Sequence, residues 1–557
     1  MTNGHEHQHA HQAEPGATGA SAVRKFHTHS IPLDMEDIER DWDKPVTEAG
    51  IAAKASVIVR VGMLDLSAGT GSFRVREMMH RIAYPLGVHV RADVNLTDIE
   101  AACTDGRDRI TEVVDLPTTG VNTERIWLLE HFADWFNVNL GTGSMYHAKP
   151  DISEELVEHL DSPDARQSIM RAVEKDREAK RAQAERLAKE AADAAAESTK
   201  HGHKPPKGEY AEHFDYVSSP HDETSASHGI TVRQAHERLD LIERRKPLYA
   251  PWFSGLASAL ACAAFVFLLG GGIYDMVGAF IGAGLGQWLR RRLFAHHLNQ
   301  FFVTFVCVAV AALACTGVLR AIGWFVDPVA LEHDTAYIGA MLFVIPGFPL
   351  ITGGLDMAKI DFPSGIQRIC YVLCIILMAT LAGWAVALIV HLNPEGFEPL
   401  GLDPAVNCLL RFVAAFVGVW GFSVLFNSPQ RMCFVAAFIG AITDTFRLEI
   451  VDMGMPAEGG AFLGALLAGL LASAWRSSVR RGWLPPHLGY PRICLTVPSI
   501  VIMVPGMYMY QAMFHLGQFD TQLALDWAFR AFMVIVCLPI GLAMARVITD
   551  KSWRYDI

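Results

Sequence analysis

Two carboxylates stand in apolar surroundings where they could bind a proton or a cation. Asp444 follows the run "AAFIGAIT" and is flanked by Thr443 and Thr445. Asp356 lies near the end of "MLFVIPGFPLITGGLDMAK", Met341 to Lys359, with Thr352 one turn before it. A carboxylate in hydrocarbon is costly, so it holds a proton, pairs with a cation, or stands at the end of its span. Both alternatives are open for each: Asp444 has Arg447 close by toward the outer surface, and Asp356 falls at the inner end of its run. The same stretch carries Pro346-Gly347, and a second Pro505-Gly506 is followed by Tyr508, Tyr510 and Gln511. Proline removes a helix hydrogen bond. The backbone groups freed there bind a polar solute when they line a cavity.

The elements that must position these groups occur twice. "AFIGA" appears at 279–283 and again at 437–441, 158 residues later. "IPG" at 345–347 and "VPG" at 504–506 are 159 apart. Gln287 falls where Thr445 falls in the second copy, so both copies place a polar side chain there. Each copy holds five apolar runs. Five is odd, so the second copy enters the bilayer from the opposite face, giving two inverted halves. Interrupted helices at matching positions of inverted halves point to a binding site near the bilayer midplane. The candidate substrate- or proton-binding residues are therefore Pro346, Gly347, Thr352, Asp356, Gln287, Thr443, Asp444, Thr445, Pro505, Gly506 and Gln511.

Ten apolar runs fit membrane spans by length: 254–271, 273–289, 299–322, 336–355, 367–391, 405–426, 432–446, 457–475, 492–512 and 526–548. Arg290 to Arg292, Lys359, Arg368, Arg431, Arg476, Arg480, Arg481 and Arg492 fall in loops on one side, with Arg546, Lys551 and Arg554 at the C-terminus. The other side has only Arg320, Arg411, Arg447 and Arg530. This bias places both termini in the cytoplasm. No charged-then-apolar leader opens the chain. The expected fold is an α-helical polytopic membrane protein of ten transmembrane helices in two inverted five-helix repeats, preceded by a small cytoplasmic α+β domain.

The expected divisions are a His-rich tail (1–50), the α+β domain (51–150), a charged insert ending in an amphipathic helix before the membrane (151–250), and the two membrane repeats (251–395 and 396–557). The tail alternates His5, His7, His9 and His11 and reads as disordered more readily than as a metal site. In 51–145, helical spacing of Val75, Met78, Met79, Ile82 and Leu86 is followed by alternating strands, an Asp105-Gly106 turn, and a helix capped by Asn122.

Several chemistries find no support. Nine of the ten cysteines are scattered in the apolar half without a C-x-x-C pair, so neither zinc nor disulfides are expected. A net charge of −12 gives no reason to expect nucleic acid. "GTGSFR", Gly69 to Arg74, resembles a phosphate loop but lacks the lysine. No cofactor is expected. Inverted repeats are common in secondary transporters, and without an ATPase module the energy for transport would come from an ion gradient.

"GSFRVREMMHRIAYPLG", "GVNTERIWLL" and "PGFPLITGGLDMAKIDFPSGIQR", ahead of the second "VPG", resemble the ThrE threonine/serine exporter family over about 55–145 and 230–548. The resemblance implies export of L-threonine and L-serine across the cytoplasmic membrane by the membrane potential or proton gradient. It also implies membrane lipids as surroundings and leaves a homo-oligomer open. Relatives of this shape are linked to succinate, so a dicarboxylate exporter is the alternative. A hydrolase-like enzyme in 55–145 is a third reading and lacks a nucleophile–base pair.

Overall fold

The computed structural model describes residues 36–116, 120–141, 229–394, 396–397 and 400–554. The histidine cluster His5 to His11 and the insert's expected helix at 152–198 lie outside the described residues, but the tail expected to be disordered over 1–50 is ordered from residue 36: Glu36–Glu39 is helical, and Ile38, Val46 and Ala49 are buried against the domain.

The N-terminal domain is built on α1 (Ile51–Ser67), which is buried almost all round from Ala52 to Leu66. α2 (Ser72–Ala83) lays Val75, Met78, Met79 and Ile82 against it. Strands β1 (His89–Val94), β2 (Asp98–Thr104) and β3 (Arg109–Asp115) form an antiparallel sheet in that order. β1 alternates strictly between exposed and buried residues, as a strand with one covered face should. Asp105 closes the β2–β3 turn by accepting the Arg107 and Asp108 amides, and Gly106 takes a φ of 89° there. α3 (Thr123–Asn139) begins where the Asn122 side chain accepts the Arg125 N–H. The expected helices, strands, turn and cap are all present.

The amphipathic helix expected before the membrane, α4 (Val232–Glu243), belongs structurally to this domain. It packs on α1 and buries Val232, Ala235, His236 and Leu239. The backbone pairs Pro45 with Thr231. Arg60 of α1 reaches Asp240 and Glu243 of α4. Its hydrophobic face was legible; that it would meet the domain rather than lipid was not.

The apolar half contains α5 (Pro251–Leu268), α6 (Ile273–Phe294), α7 (Gln300–Phe325), α8 (Ala336–Met341), α9 (Gly347–Ala358) and α10 (Phe362–Val390). They are followed by α11 (Pro404–Leu425), α12 (Gln430–Asp452), α13 (Ala457–Arg480), α14 (Arg492–Val501), α15 (Gly506–Gly517) and α16 (Thr521–Thr549). Among the described residues, six helices (α5, α7, α10, α11, α13 and α16) are long and apolar enough to cross a membrane. Two bent pairs raise the number to eight: α8 with its extension to Val344 joins α9 at 61°, and α14 joins α15 at 46°. The chain is thus a multi-pass membrane protein. The spans expected at 273–289 and 432–446 lie on α6 and α12. Both are long enough, but Arg290 to Arg292 in one and Asp444, Arg447 and Glu449 in the other dilute their apolar character.

The two stretches share detail. α9 and α10 recur as α15 and α16 with every boundary shifted by 159 residues. Pro346 has φ −80° and ψ 64°, and Pro505 has φ −81° and ψ 58°. Ile360 and Phe519, also 159 apart, adopt φ of 64° and 63° after those helices. The "AFIGA" motifs put their glycines in equivalent contacts. A Cβ on Gly282 would lie 2.8 Å from Ala340 Cβ, and one on Gly440 would lie 3.2 Å from Ser499 Cα. Small residues there let backbones approach closely.

The N-terminal domain sits against one end of the helices, called here the domain face. Loops 295–299, 359–361, 426–429 and 481–491 lie at that end; loops 269–272, 326–335, 391–394, 400–403, 453–456 and 518–520 lie at the other, the far face.

Candidate functional site

The two breaks meet. Each proline is the centre of a tight turn, in which the Gly347 N–H reaches Ile345 O and the Gly506 N–H reaches Val504 O, both at 2.8 Å. A Cβ on Gly347 would stand 3.0 Å from Val501, at the end of α14. A Cβ on Gly506 would stand 2.6 Å from Leu342 and 2.4 Å from Ile345, at the end of the α8 half. Leu342 and Val501 are 159 residues apart, so each break rests on the same part of the other. Pro346, Gly347, Pro505 and Gly506 are therefore brought together. Thr352 and Gln511, also 159 apart, lie beyond them on α9 and α15, both buried. Thr352 Oγ1 donates to Pro349 O, and Gln511 Nε2 donates to Pro394 O at the far face.

Asp444 is fully buried on α12, two turns before the helix ends. Its Oδ1 accepts Arg447 Nε at 2.8 Å. Its Oδ2 and the Thr445 hydroxyl are buried with no hydrogen-bond partner among the described residues. Thr443 donates to Gly440 O. A Cβ placed on Gly464 would meet both Met503, in the unwound segment, and Arg447. The Asp444–Arg447 pair thus runs alongside the second break. Asp444 is thus a buried carboxylate with Arg447 as its partner, not a residue at the outer surface. Gln287 lies apart from this group, on α6, with Nε2 on Ser254 Oγ at 3.2 Å and Oε1 unpartnered.

Asp356 belongs to a different constellation. It is fully buried at the domain face, with Arg368 Nε 3.2 Å from its Oδ2. The backbone N–H groups of Ser72 and Phe73, at the start of α2, donate to it at 3.2 and 3.4 Å. The partial positive charge of a helix N-terminus favours an anion there. The "GTGSFR" stretch is therefore an anion cradle filled by the chain's own carboxylate. A Cβ on Gly71 would fall 2.5 Å from Asp356 Oδ1. Around it, Ser72 and Arg76 both bond Asp361, Ser364 bonds Val94 O, and the Leu96 N–H meets Gln367. A second seam ties Thr123 to Phe426 O and Ser428, and Asn427 to Glu124.

Beneath this contact lies a buried charge network that sequence reading missed. Arg74 joins Glu130 at 2.6 Å and stands 3.9 Å from Asp65, while Arg81 reaches Glu130 at 2.9 Å. Burial raises the Asp65 carboxyl to about 6 despite Arg74. Burial would raise Glu130 too, but Arg81 and Arg74 outweigh it and hold that carboxyl well below its usual range. The only sequence signal was a set of charged residues at helical spacing inside apolar segments.

The family ThrE, threonine/serine exporters, matches residues 56–146 and 223–391, and its companion ThrE_2 matches 411–548. The chain belongs to the threonine/serine exporter family. It is 30% identical over 175 residues to a protein of Escherichia coli (strain K12) named a probable succinate transporter subunit, YjjP. That alignment covers 30% of this chain and 66% of the relative. The Klebsiella aerogenes protein of the same name is 29% identical, over 27% of this chain and 58% of its own. The pheromone-regulated membrane protein 10 of Pichia sorbitophila is 26% identical over 292 residues, 50% of this chain and 27% of the relative. The chain thus spans between about a quarter and two thirds of these three relatives. No solved structure matches. The ThrE match resumes at residue 223, just ahead of α4, so this helix lies within the matched part of the family.

Proposed function

We propose that this protein is a secondary active exporter of small amino acids, L-threonine and L-serine, with protons as coupling ion. Ten spans in two inverted five-helix repeats would carry it, with the N-terminal domain cytoplasmic. The observation that carries the reading is the pair of backbone breaks with shared dihedrals, resting on each other across the middle of the helices. Each break frees amides at a half-helix N-terminus, suited to a carboxylate, and carbonyls suited to an ammonium. Gly347 and Gly506 mark the starts of those half-helices, and Asp444 beside the second break is the candidate proton carrier. The equal boundary offsets of α9–α10 and α15–α16 support the duplication, and membership of the exporter family supports the substrate class.

The name of the Escherichia coli relative favours a second reading, export of a dicarboxylate. Efflux of labelled threonine, serine and succinate from vesicles, with and without an imposed proton gradient, separates the two. Gradient-stimulated efflux of threonine and serine is expected. Movement of succinate alone would replace the first reading by the second, and movement of none would remove both.

A further inference from the structure

A cavity of about 260 Å³ opens at the far face, among the ends of α7 and α10 and the start of α8. Its lining includes Arg320, Asp334, His333, His391, Thr316 and Tyr337. Ligand pockets for drug-sized molecules run to about 300–1,000 Å³, so this one suits a smaller solute. Arg320 and Asp334 carry opposite charges in one cavity, yet neither has an ion-pair partner among the described residues. Each is held by backbone instead: Arg320 donates to Val390 O at 2.6 Å, and Asp334 accepts the Asn393 N–H at 3.1 Å. The nearby histidine is already engaged, with His333 Nδ1 2.9 Å from Asp275.

We infer that this cavity binds one small zwitterion, an α-amino acid with a short polar side chain, its carboxylate on Arg320 and its ammonium on Asp334. A charge-assisted hydrogen bond at each end gives such a molecule two strong contacts. A dicarboxylate would bring its second charge toward Asp334, and a diamine toward Arg320, so both are disfavoured by like-charge repulsion. Thr316 and the free edges of His333 and His391 supply polar lining for a hydroxyl. Tyr337 forms part of the wall, and its hydroxyl bonds that of Tyr510, next to Gln511. Tyr510 belongs to the helix that starts at Gly506, so the tyrosine pair ties the cavity wall to that helix. The site is a station on the far side of the breaks, and it rests on the amino-acid reading proposed above.

The test uses the full chain in lipid nanodiscs and equilibrium binding of labelled L-threonine. Arg320 is exposed and Asp334 half-buried beside a loop, so R320Q and D334N are expected to fold, which an unchanged melting profile checks, and R320K keeps the charge. In R320Q and in D334N, one saturable component should weaken by about tenfold or more, the scale of a lost charged contact. R320K should retain most of it, and D334N should let succinate compete where the wild type does not. Unchanged binding in both R320Q and D334N, or no saturable threonine binding by the wild type, overturns the site. Threonine efflux by the wild type, measured in parallel, judges the export reading separately. Charge-dependent binding without efflux keeps the site and removes that reading; efflux with unaltered binding does the reverse.

Discussion

The carboxylate of Asp356 accepts the backbone N–H of Ser72 at 3.2 Å, across 284 residues of sequence. One group thereby ends a half-helix of the apolar unit and caps a helix of the N-terminal domain. Arg368 depends on it as well, because its Nε and Nη2 have no hydrogen-bond partner among the described residues. Asp356→Asn should leave the Arg368 charge buried without its counter-ion, a change that typically costs about 3–5 kcal/mol. Gly71→Ala should act similarly by displacing the carboxylate. Hydrogen exchange in the full chain should then quicken at 72–76 and not at the β1–β2 pairing. Equal protection in both variants and the wild type would mean that the contact does not hold the domain.

The two glycines at the breaks should not be equally tolerant. A Cβ at Gly506 comes within 2.4 Å of Ile345 and 2.6 Å of Leu342, against 3.0 Å from Val501 at Gly347. Gly506→Ala is therefore expected to lower threonine efflux by at least about tenfold, with overpacking costing about 1–3 kcal/mol, while Gly347→Ala loses less. Adding Ile345→Ala to Gly506→Ala should recover part of the loss. A pair of variants with equal efflux would show that the breaks do not bear on one another during transport.

Asp444→Asn separates a coupling role from a structural one. It should abolish gradient-driven efflux while permitting exchange of threonine across the membrane, since exchange needs no net proton movement. Asp444→Glu should keep partial activity with a shifted pH optimum. Normal accumulation against a gradient by Asp444→Asn would leave the residue as a partner of Arg447 and nothing more.

The joint between α1 and α4 should weaken in acid. Burial, and then the nearby Arg60 charge, depress the His236 imidazole to about 3. Arg60 donates to Nδ1, so Nε2 carries the hydrogen toward Ser56 Oγ, and the Trp42 ring stacks on the imidazole at 5.3 Å. A His with a lowered folded value binds fewer protons than the unfolded chain between about 3 and 6.5. Stability from it is full above 6.5 and is lost as pH falls through that window. The loss at pH 5 should be about 2 kcal/mol. Hydrogen exchange of 232–243 in the full chain should accelerate from pH 6.5 to 5 after correction for intrinsic rates, and His236→Gln should flatten the trend. Asp65 contributes oppositely: its raised carboxyl binds more protons when folded, so its ionisation erodes stability as pH climbs toward 6. Asp65→Asn should remove that slope.

How far the sequence carried depended on whether a signal was local. Pro346-Gly347 and Pro505-Gly506 reveal the interruptions because proline and glycine act on their own backbone. Alternation in β1 and the Asn122 cap are local in the same sense. The Asp356 cradle is not: nothing in "GTGSFR" says whether its amides face a phosphate or a carboxylate from another part of the chain. The apolar stripe Val232, Ala235, Leu239 declares that one face of α4 is covered without naming the cover. In α12 the charges beside the second break also weaken the apolar signal of the span holding them, and in α6 Arg290 to Arg292 do so away from the breaks. The Arg320–Asp334 cavity went unread because its walls come from three segments whose charges look like ordinary span ends.

The docking of α4 on α1 has a bearing on chain length. The chain leaves the domain at the end of α3 and rejoins it at Gly229, with Val46 N–H on Ile230 O and Arg233 N–H on Trp42 O fastening the return. The intervening residues thus have both ends moored to one body. They do not set the distance between domain and bilayer, which falls to the few residues from Arg244 to Ala250. Lengthening a moored loop is cheap, with each doubling costing about 0.6 kcal/mol. Replacing 199–228 by a flexible linker of different length should hold threonine efflux within about twofold. Adding three residues between Arg244 and Ala250 should not be tolerated so readily. Natural variation in size within this architecture is accordingly expected to gather between 141 and 229, where it changes neither the reach nor the seating of the domain.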